Sequence, residues 1–146
     1  MECRDQTDGW LPLGFHRYRV SDSILWFESH GEFTKNDVDE YVVILDRLLA
    51  NYPGLGILAD VSGGISSTIE VRKHASEALR AKSRGIPIAI VGANMTIRTV
   101  YTLFSKAQQL IWGTPSSNAC FTNLSDGKAW IERHVADRGR AQATAC

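Results

Sequence analysis

The stretch that most constrains the fold is LGILADVSGGISSTIEVR, residues 55–72. It opens with an apolar run, residues 55–61, whose length and composition are typical of a buried strand. Gly63 and Gly64 interrupt the run, and three residues that can cap a helix follow: Ser66, Ser67 and Thr68. The stretch therefore predicts a buried strand, a glycine turn and a helix that begins near Ile69.

Strands and helices alternate along the rest of the chain. Residues 16–20 and 24–28 alternate in polarity around the turn sequence Ser21-Asp22-Ser23, which predicts a hairpin. Thr34 then caps a helix whose apolar residues recur at helical spacing on one face: Val38, Tyr41, Val42, Leu45, Leu48 and Leu49. Asp37 stands in the capping-box position and is expected to face solvent with the other residues outside the apolar stripe.

The sequence predicts two further strands, residues 86–91 and 119–122, and a helix follows each of them. We expect Ser125 to cap the last helix. Strands that alternate with helices form parallel sheets with right-handed crossovers. The sequence predicts an α/β fold: a mixed, mostly parallel sheet of about five strands, with 55–61 and 86–91 central, and four helices.

The predicted domain spans residues 15–137, after a lead-in segment, residues 1–14, and before a disordered tail, residues 138–146. The formal net charge is zero, so no overall field draws the chain onto nucleic acid, which we do not expect as a partner. No apolar run reaches the ~20 residues of a transmembrane helix. Three widely spaced cysteines argue against a disulfide framework and favour a cytoplasmic protein.

Several short motifs resemble the STAS superfamily, named for sulfate transporters and anti-sigma factor antagonists. Asp60-Val61-Ser62 ends a strand, and hydroxyl residues open the next helix. The later half resembles the SpoIIAA-like branch, which is grouped with lipid-binding SEC14 domains. That half carries IAIVG at residues 88–92, then Phe121 and the pair Ala129-Trp130. The resemblance covers about residues 17–135 and implies a STAS-like domain.

The resemblance implies a non-enzymatic regulatory or binding role, through a protein partner or a small lipid-like or anionic ligand. An alternative is a phospho-switched regulator of the anti-sigma factor antagonist type, with Ser66 or Ser67 as the acceptor. In those antagonists Asp precedes the acceptor serine and Ser-Gly follows it. Here Ile65 precedes Ser66, and Thr68 stands where glycine would follow.

The candidate ligand-binding residues lie at the predicted carboxyl ends of strands: Asp60, Ser62, Ser66, Ser67, Thr68, Asn94, Thr96 and Arg98. The hydroxyl cluster could accept phosphate or cradle an anion, although a turn with an N-cap explains it more simply. Asp60 could contact a ligand, or it could accept backbone N–H groups of the following loop. Asn94, Thr96 and Arg98 could hold an anion at a helix start, or they could simply cap it.

The sequence predicts no catalytic residue, metal site or cofactor. There is no G-x-S-x-G or GxxxxGK motif, and the four histidines are scattered, with solvent-exposed or capping roles expected: His16, His30, His74 and His134. We therefore predict that the protein is not an enzyme. Any small ligand is expected at the edge built from residues 60–67, 92–98 and 122–125.

The predicted third helix has a broader apolar surface than packing on one sheet face requires. Leu103 and Leu110 widen this surface, and with Tyr101 and Trp112 they form a candidate interface for a protein partner or a homodimer. Core packing explains the same pattern equally well, so both interpretations stay open.

Overall fold

The computed structural model describes residues 9–79, 86–95, 98 and 118–145, with side chains described as far as residue 137. Its strands and helices follow one another along the chain in this order: β1 Leu11–Leu13, β2 His16–Ser21, β3 Ile24–Glu28, β4 Gly31–Glu32, α1 Lys35–Asn51, β5 Gly56–Asp60, β6 Ile65–Ser66, α2 Ile69–Leu79, β7 Ile88–Val91, β8 Asn118–Phe121 and α3 Leu124–Ala145.

The main sheet has six strands in the order β1-β2-β3-β5-β7-β8. The first three strands pair antiparallel, and β3, β5, β7 and β8 pair parallel. This confirms the predicted α/β class with a mixed, mostly parallel sheet. β5 is central, whereas β7 is an interior strand nearer one side, between β5 and β8. A second sheet joins β4 and β6 in parallel.

Two chain segments differ from the expectation. Leu11–Leu13, placed in the lead-in segment, forms the edge strand β1 and pairs with β2. A strand of three residues is too short to show a recognisable alternation. At the other end, the backbone of α3 continues to Ala145, past residue 137 where a disordered tail was expected. Three helices are described rather than four, because most of the predicted third helix lies outside the described residues.

The two faces of the sheet are covered by different helices. On one face α1 contributes Leu45 and Leu48 to an apolar cluster that includes Ile57 of β5. On the other face Ile131 of α3 packs against residues of β3, β5 and β7. Ile57 and Ile90 are both buried, as the sequence predicted.

The start of α1 has the predicted capping box, but its acid is not solvent-exposed. Thr34 Oγ1 accepts the Asp37 N–H, and Asp37 Oδ2 accepts the Thr34 N–H. The prediction that Asp37 faces solvent is wrong, because Gly14, with φ +61°, lies directly against the Asp37 carboxylate. A side chain at residue 14 would collide with this carboxylate, so the β1–β2 turn and the start of α1 fit together through a glycine.

The cap of α3 also differs from the prediction. The helix begins at Leu124, and Asn123 Oδ1 accepts the Asp126 N–H at 3.0 Å. Asn123 is therefore the N-cap, and Ser125 lies inside the first turn.

The order of the parallel strands determines the shape of the carboxyl edge. From β3 to β5 to β7 to β8, each strand is added on the same side of the one before it. A ligand crevice in an open α/β sheet forms where this direction reverses. The described strands contain no such reversal, so the loops after β3, β5, β7 and β8 form a row along the edge.

Candidate functional site

The loop after β5 is held by the carboxylate with which the strand ends. Asp60 Oδ1 accepts the Ser62 backbone N–H at 3.0 Å and the Ser62 hydroxyl at 2.6 Å. This is the loop-capping arrangement that the sequence left open beside a ligand-binding role. A further role for Asp60 toward a ligand stays a prediction.

Ser62 also meets the loop that follows β7. Gly92 has φ +78°, and a Cβ atom built on it would lie 2.7 Å from Ser62 Cβ. A side chain at residue 92 would therefore push the two loops apart. Two of the three predicted parts of the ligand edge are thus in direct contact.

Arg98 joins the ends of β7 and β8. Its Nε–H donates to the Ala93 carbonyl oxygen at 3.1 Å, and Nη2 donates to Thr122 Oγ1 at 3.4 Å. The Arg98 N–H donates to the Asn94 carbonyl oxygen at 3.0 Å, as in a first helical turn. Thr96 lies outside the described residues.

Cys120 on β8 lies close enough to Arg98 for the positive charge of the guanidinium to affect the pKa of the Cys120 thiol. Burial raises the pKa of the Cys120 thiol, and the positive charge of Arg98 opposes this rise. Because burial is the larger effect, the thiol is less ionised at neutral pH than an exposed cysteine.

The hydroxyl cluster is divided between two places. Ser62 lies against the loop after β7. Ser66 lies in β6, where it pairs with Glu32 of β4, the strand that follows β3 in the chain. β3 and β7 lie on opposite sides of β5 and are therefore separated by roughly 10 Å, two strand spacings. Ser62 and Ser66 thus belong to different parts of the edge.

The segment around Ser66 is anchored at both ends and exposed in between. The Phe33 N–H donates to the Ser66 carbonyl oxygen at 2.8 Å, and Thr68 Oγ1 accepts the Val71 N–H at 3.2 Å as the N-cap of α2. Ile65 is 36% exposed and Ile69 is 76% exposed. Two apolar side chains therefore flank the hydroxyl residues at the surface.

The sequence analysis missed two residues of this edge, Ser29 and His30, which directly follow β3. The Ser29 hydroxyl donates to the Gly64 carbonyl oxygen at 2.8 Å, and the Ser29 N–H donates to the Asp60 carbonyl oxygen at 2.9 Å. A Cβ atom on Gly63 would lie 3.0 Å from His30 Nδ1. Their position after a strand was visible in the sequence, but only the β3–β5 pairing brings them to the loop.

His16 contradicts the expectation that each histidine is solvent-exposed or capping. It is 2% exposed, its Nδ1 accepts the His30 N–H at 2.9 Å, and its Nε2 lies 3.0 Å from the Glu32 carbonyl oxygen. Because Nδ1 accepts an N–H, the ring N–H lies on Nε2 and donates to the Glu32 carbonyl oxygen, so the imidazole links β2 to β4. The expectation was wrong because a lone histidine in an alternating strand gives no sign of which face is buried.

The other histidines have partners of their own. His74 lies 2.6 Å from Asp39 Oδ1, His134 Nδ1 lies 2.9 Å from the Trp130 carbonyl oxygen, and His30 Nε2 lies 3.4 Å from Glu28 Oε2. Within the described ranges, no contact joins a histidine to Asp60, Ser62 or Ser66.

The described part of the chain contains no group of three or more His, Cys, Asp or Glu side chains placed to hold a metal ion. Nor does it contain a helix whose length and apolar character would allow it to cross a membrane. The candidate partner residues lie outside the described residues, so their role stays a prediction: Tyr101, Leu103, Leu110 and Trp112.

Comparison with known proteins gives a fold and no family. No protein-family model matches the chain, and no curated protein matches it. Among solved structures, it is similar to an uncharacterized DUF3478-family protein with a SpoIIAA-like fold from Shewanella loihica. The two share 16% identity with a TM-score of 0.58, over 83% of this chain and 98% of that one.

A second similar structure is a candidate anti-sigma factor antagonist from Thermotoga maritima. Its identity to this chain is 14% and its TM-score 0.53, over 81% of this chain and 95% of that one. The chain therefore has a SpoIIAA-like fold, as the sequence motifs implied.

Proposed function

We propose that the protein is a non-catalytic regulatory domain that binds a protein partner through the surface at the start of α2. The observation that carries this proposal is the exposure of Ile65 and Ile69 on either side of Ser66–Thr68. Apolar side chains at these exposures are available for contact with a partner.

The anchoring of this surface supports a binding role. Hydrogen bonds from Phe33 and Ser29 fix the backbone on one side, and the Thr68 cap fixes the helix start on the other. A surface that is already ordered loses little conformational entropy when a partner binds.

Two further observations support a regulatory rather than a catalytic role. Within the described residues, no histidine contacts Asp60, Ser62 or Ser66, so these serines lack the histidine base of a Ser-His-Asp triad. One of the similar structures is a candidate anti-sigma factor antagonist, a regulator that acts on a protein. That second point is an analogy of fold.

The test uses the wild-type protein and two charge variants. The immobilised protein is used to isolate a partner from a cell lysate, and the purified partner is then titrated by calorimetry. Ile69→Glu is expected to weaken binding by about tenfold or more, because a carboxylate at an apolar contact must be desolvated. Val43→Glu, on α1 with an exposure of 68%, is the matched control and should bind like the wild type. Equal effects of the two variants would contradict the proposed surface.

A second candidate function is the phospho-switched regulator, with Ser66 or Ser67 as acceptor. Ser66 is exposed and lies three residues before Ile69, the first residue of α2, so a phosphate on it would lie near the positive end of the helix. Incubation with a cognate kinase followed by intact-mass measurement tests it. A phosphate added to the wild type but not to a Ser66→Ala, Ser67→Ala variant would favour this function over constitutive binding.

The binding proposal has one further form, in which a small apolar or anionic ligand binds at the carboxyl edge of the main sheet. The contacts among Asp60, Ser62, Gly92 and Arg98 bring three strand ends together, which supports this location. Native mass spectrometry of the purified protein would show a co-purified ligand as added mass. A hydrolase and phosphatase screen that found turnover lost in Asp60→Asn would overturn the non-catalytic proposal.

A further inference from the structure

A cluster of arginine and tryptophan side chains lies on one face of the main sheet, beside the area that α3 covers. Arg17 and Arg19 of β2 project to this face, while the residues between and beside them are buried on the other. The Arg17 guanidinium carbon lies 4.3 Å from the Trp10 ring centre. The Arg19 guanidinium carbon lies 5.2 Å from Trp10 and 4.7 Å from Trp26. We call these four residues the Arg-Trp cluster.

Two hydrogen-bond donors in the Arg-Trp cluster are buried without an acceptor among the residues that the structure describes. They are Nε of Arg19 and Nε1 of Trp26, and the whole of Trp26 is 8% exposed. Arg19 and Trp26 are directly paired across β2 and β3, so both donors belong to one place on the sheet. Buried donors are normally satisfied, and an unsatisfied pair at one place requires an explanation.

The charges at this place are also unbalanced. Arg17 forms a salt bridge with Glu28 at 2.5 Å, which neutralises one of the two arginines. Within the described residues, Arg19 has no such carboxylate. Among the described residues, the cluster therefore carries one positive charge without a carboxylate partner, beside two N–H groups without an acceptor.

We propose that the Arg-Trp cluster binds a carboxylate group, whose oxygens accept the N–H groups of Arg19 Nε and Trp26 Nε1. A guanidinium offers parallel N–H groups that match the planar fork of a carboxylate. One uncompensated charge suits a monoanion better than a phosphate dianion. The two indole rings beside the guanidinium groups favour a carboxylate attached to an aromatic or apolar group. Trp10 lies across both guanidinium groups, so ligand entry displaces its ring.

This site is separate from the proposed partner surface, because it lies on the face of the sheet rather than around Ser66–Thr68. The carboxylate could belong to a small metabolite or to an acidic side chain of a protein. Benzoate and a short peptide with a single glutamate represent the two sources. Saturable binding of either probe at this site supports the proposal, and the stronger of the two identifies the source.

The experiment is a calorimetric titration of the full chain with each probe, with benzamide as the neutral analogue of benzoate. Arg19→Lys keeps the positive charge but removes Nε–H, and Trp26→Phe keeps an aromatic ring but removes Nε1–H. Each is expected to weaken binding by about tenfold, the effect of one charge-assisted hydrogen bond. Arg47→Lys, at an exposed position on α1, is the matched control and should bind like the wild type.

A nuclear magnetic resonance measurement separates binding from a structural effect. The indole N–H resonance of Trp26, assigned from its loss in Trp26→Phe, should shift as benzoate is added and not as benzamide is added. Thermal melts establish that each variant is folded. Absence of saturable binding by both probes would overturn the proposal. So would wild-type affinity in both Arg19→Lys and Trp26→Phe, or an equal response to benzamide or inorganic phosphate.

Discussion

Gly127, in the first turn of α3, gives a prediction in which helix propensity and packing oppose each other. Alanine is favoured over glycine in a helix interior by about 1 kcal/mol, so the sequence alone predicts that Gly127→Ala stabilises the protein. In the structure, a Cβ atom at this position would lie 2.6 Å from Val91 Cγ2 and 3.5 Å from Phe121 Cδ2. Val91 is buried on β7 and cannot turn its branched side chain away without disturbing the core.

The net effect follows from the two magnitudes. Adding a methyl group to a well-packed core costs about 1–3 kcal/mol. Subtracting the gain of about 1 kcal/mol in propensity from a middle value of about 2 leaves about 1 kcal/mol of destabilisation. For a chain of this size, this corresponds to a fall in Tm of roughly 2–4 °C.

The assay is urea unfolding followed by far-ultraviolet circular dichroism, for wild type, Gly127→Ala, Val91→Ala and the double variant. Because Val91→Ala removes the colliding methyl group, the double variant should be about 1–2 kcal/mol more stable than additivity predicts. Ala129→Gly, at an exposed position of the same helix, measures the local propensity and should lose about 1 kcal/mol. A Gly127→Ala protein that is more stable than wild type, or strict additivity in the cycle, would refute the reasoning.

Three other predictions concern the core and two ionisable groups. Ile57→Ala should lower the free energy of unfolding by about 2–5 kcal/mol in the same urea assay, because Ile57 is buried on β5; a loss below about 1 kcal/mol would contradict this burial. Burial raises the pKa of the Tyr41 hydroxyl above its usual value near 10. As the pH rises, this hydroxyl therefore loses its proton in the unfolded chain before it does so in the folded protein. Stability should therefore fall as the pH rises above about 10, with a shallower slope in Tyr41→Phe measured by urea unfolding at several pH values. Burial also raises the pKa of Cys120, so peptide mapping after iodoacetamide treatment should show slower alkylation than in the denatured chain; Arg98→Met should slow it further, and an unchanged rate would argue against the Arg98 effect.

Local patterns in the sequence were sufficient for α1, α2 and the longer strands, but not for the short strands β1, β4 and β6. The sequence predicted β5, its loop and α2 from the apolar run at residues 55–61, the glycines after it and the candidate caps at residues 66–68, without any knowledge of tertiary contacts. The helical spacing from Val38 to Leu49 predicted α1 and its capping box. These features are local because a strand period, a helix period and a cap each depend on residues a few positions apart.

The tertiary structure alone decided which of these residues meet. Pairing of β3 with β5 brought Ser29 and His30 to the β5 loop, and pairing of β4 with β6 moved Ser66 away from Ser62. Tertiary packing also buried His16 and Asp37, and no periodicity in the sequence predicted that these two side chains are buried. The approach of Gly127 to Val91 depends on α3 packing on β7. Contacts of this kind depend on strand order and register, which are fixed by the packing of segments far apart in the chain and not by the residues of any one segment.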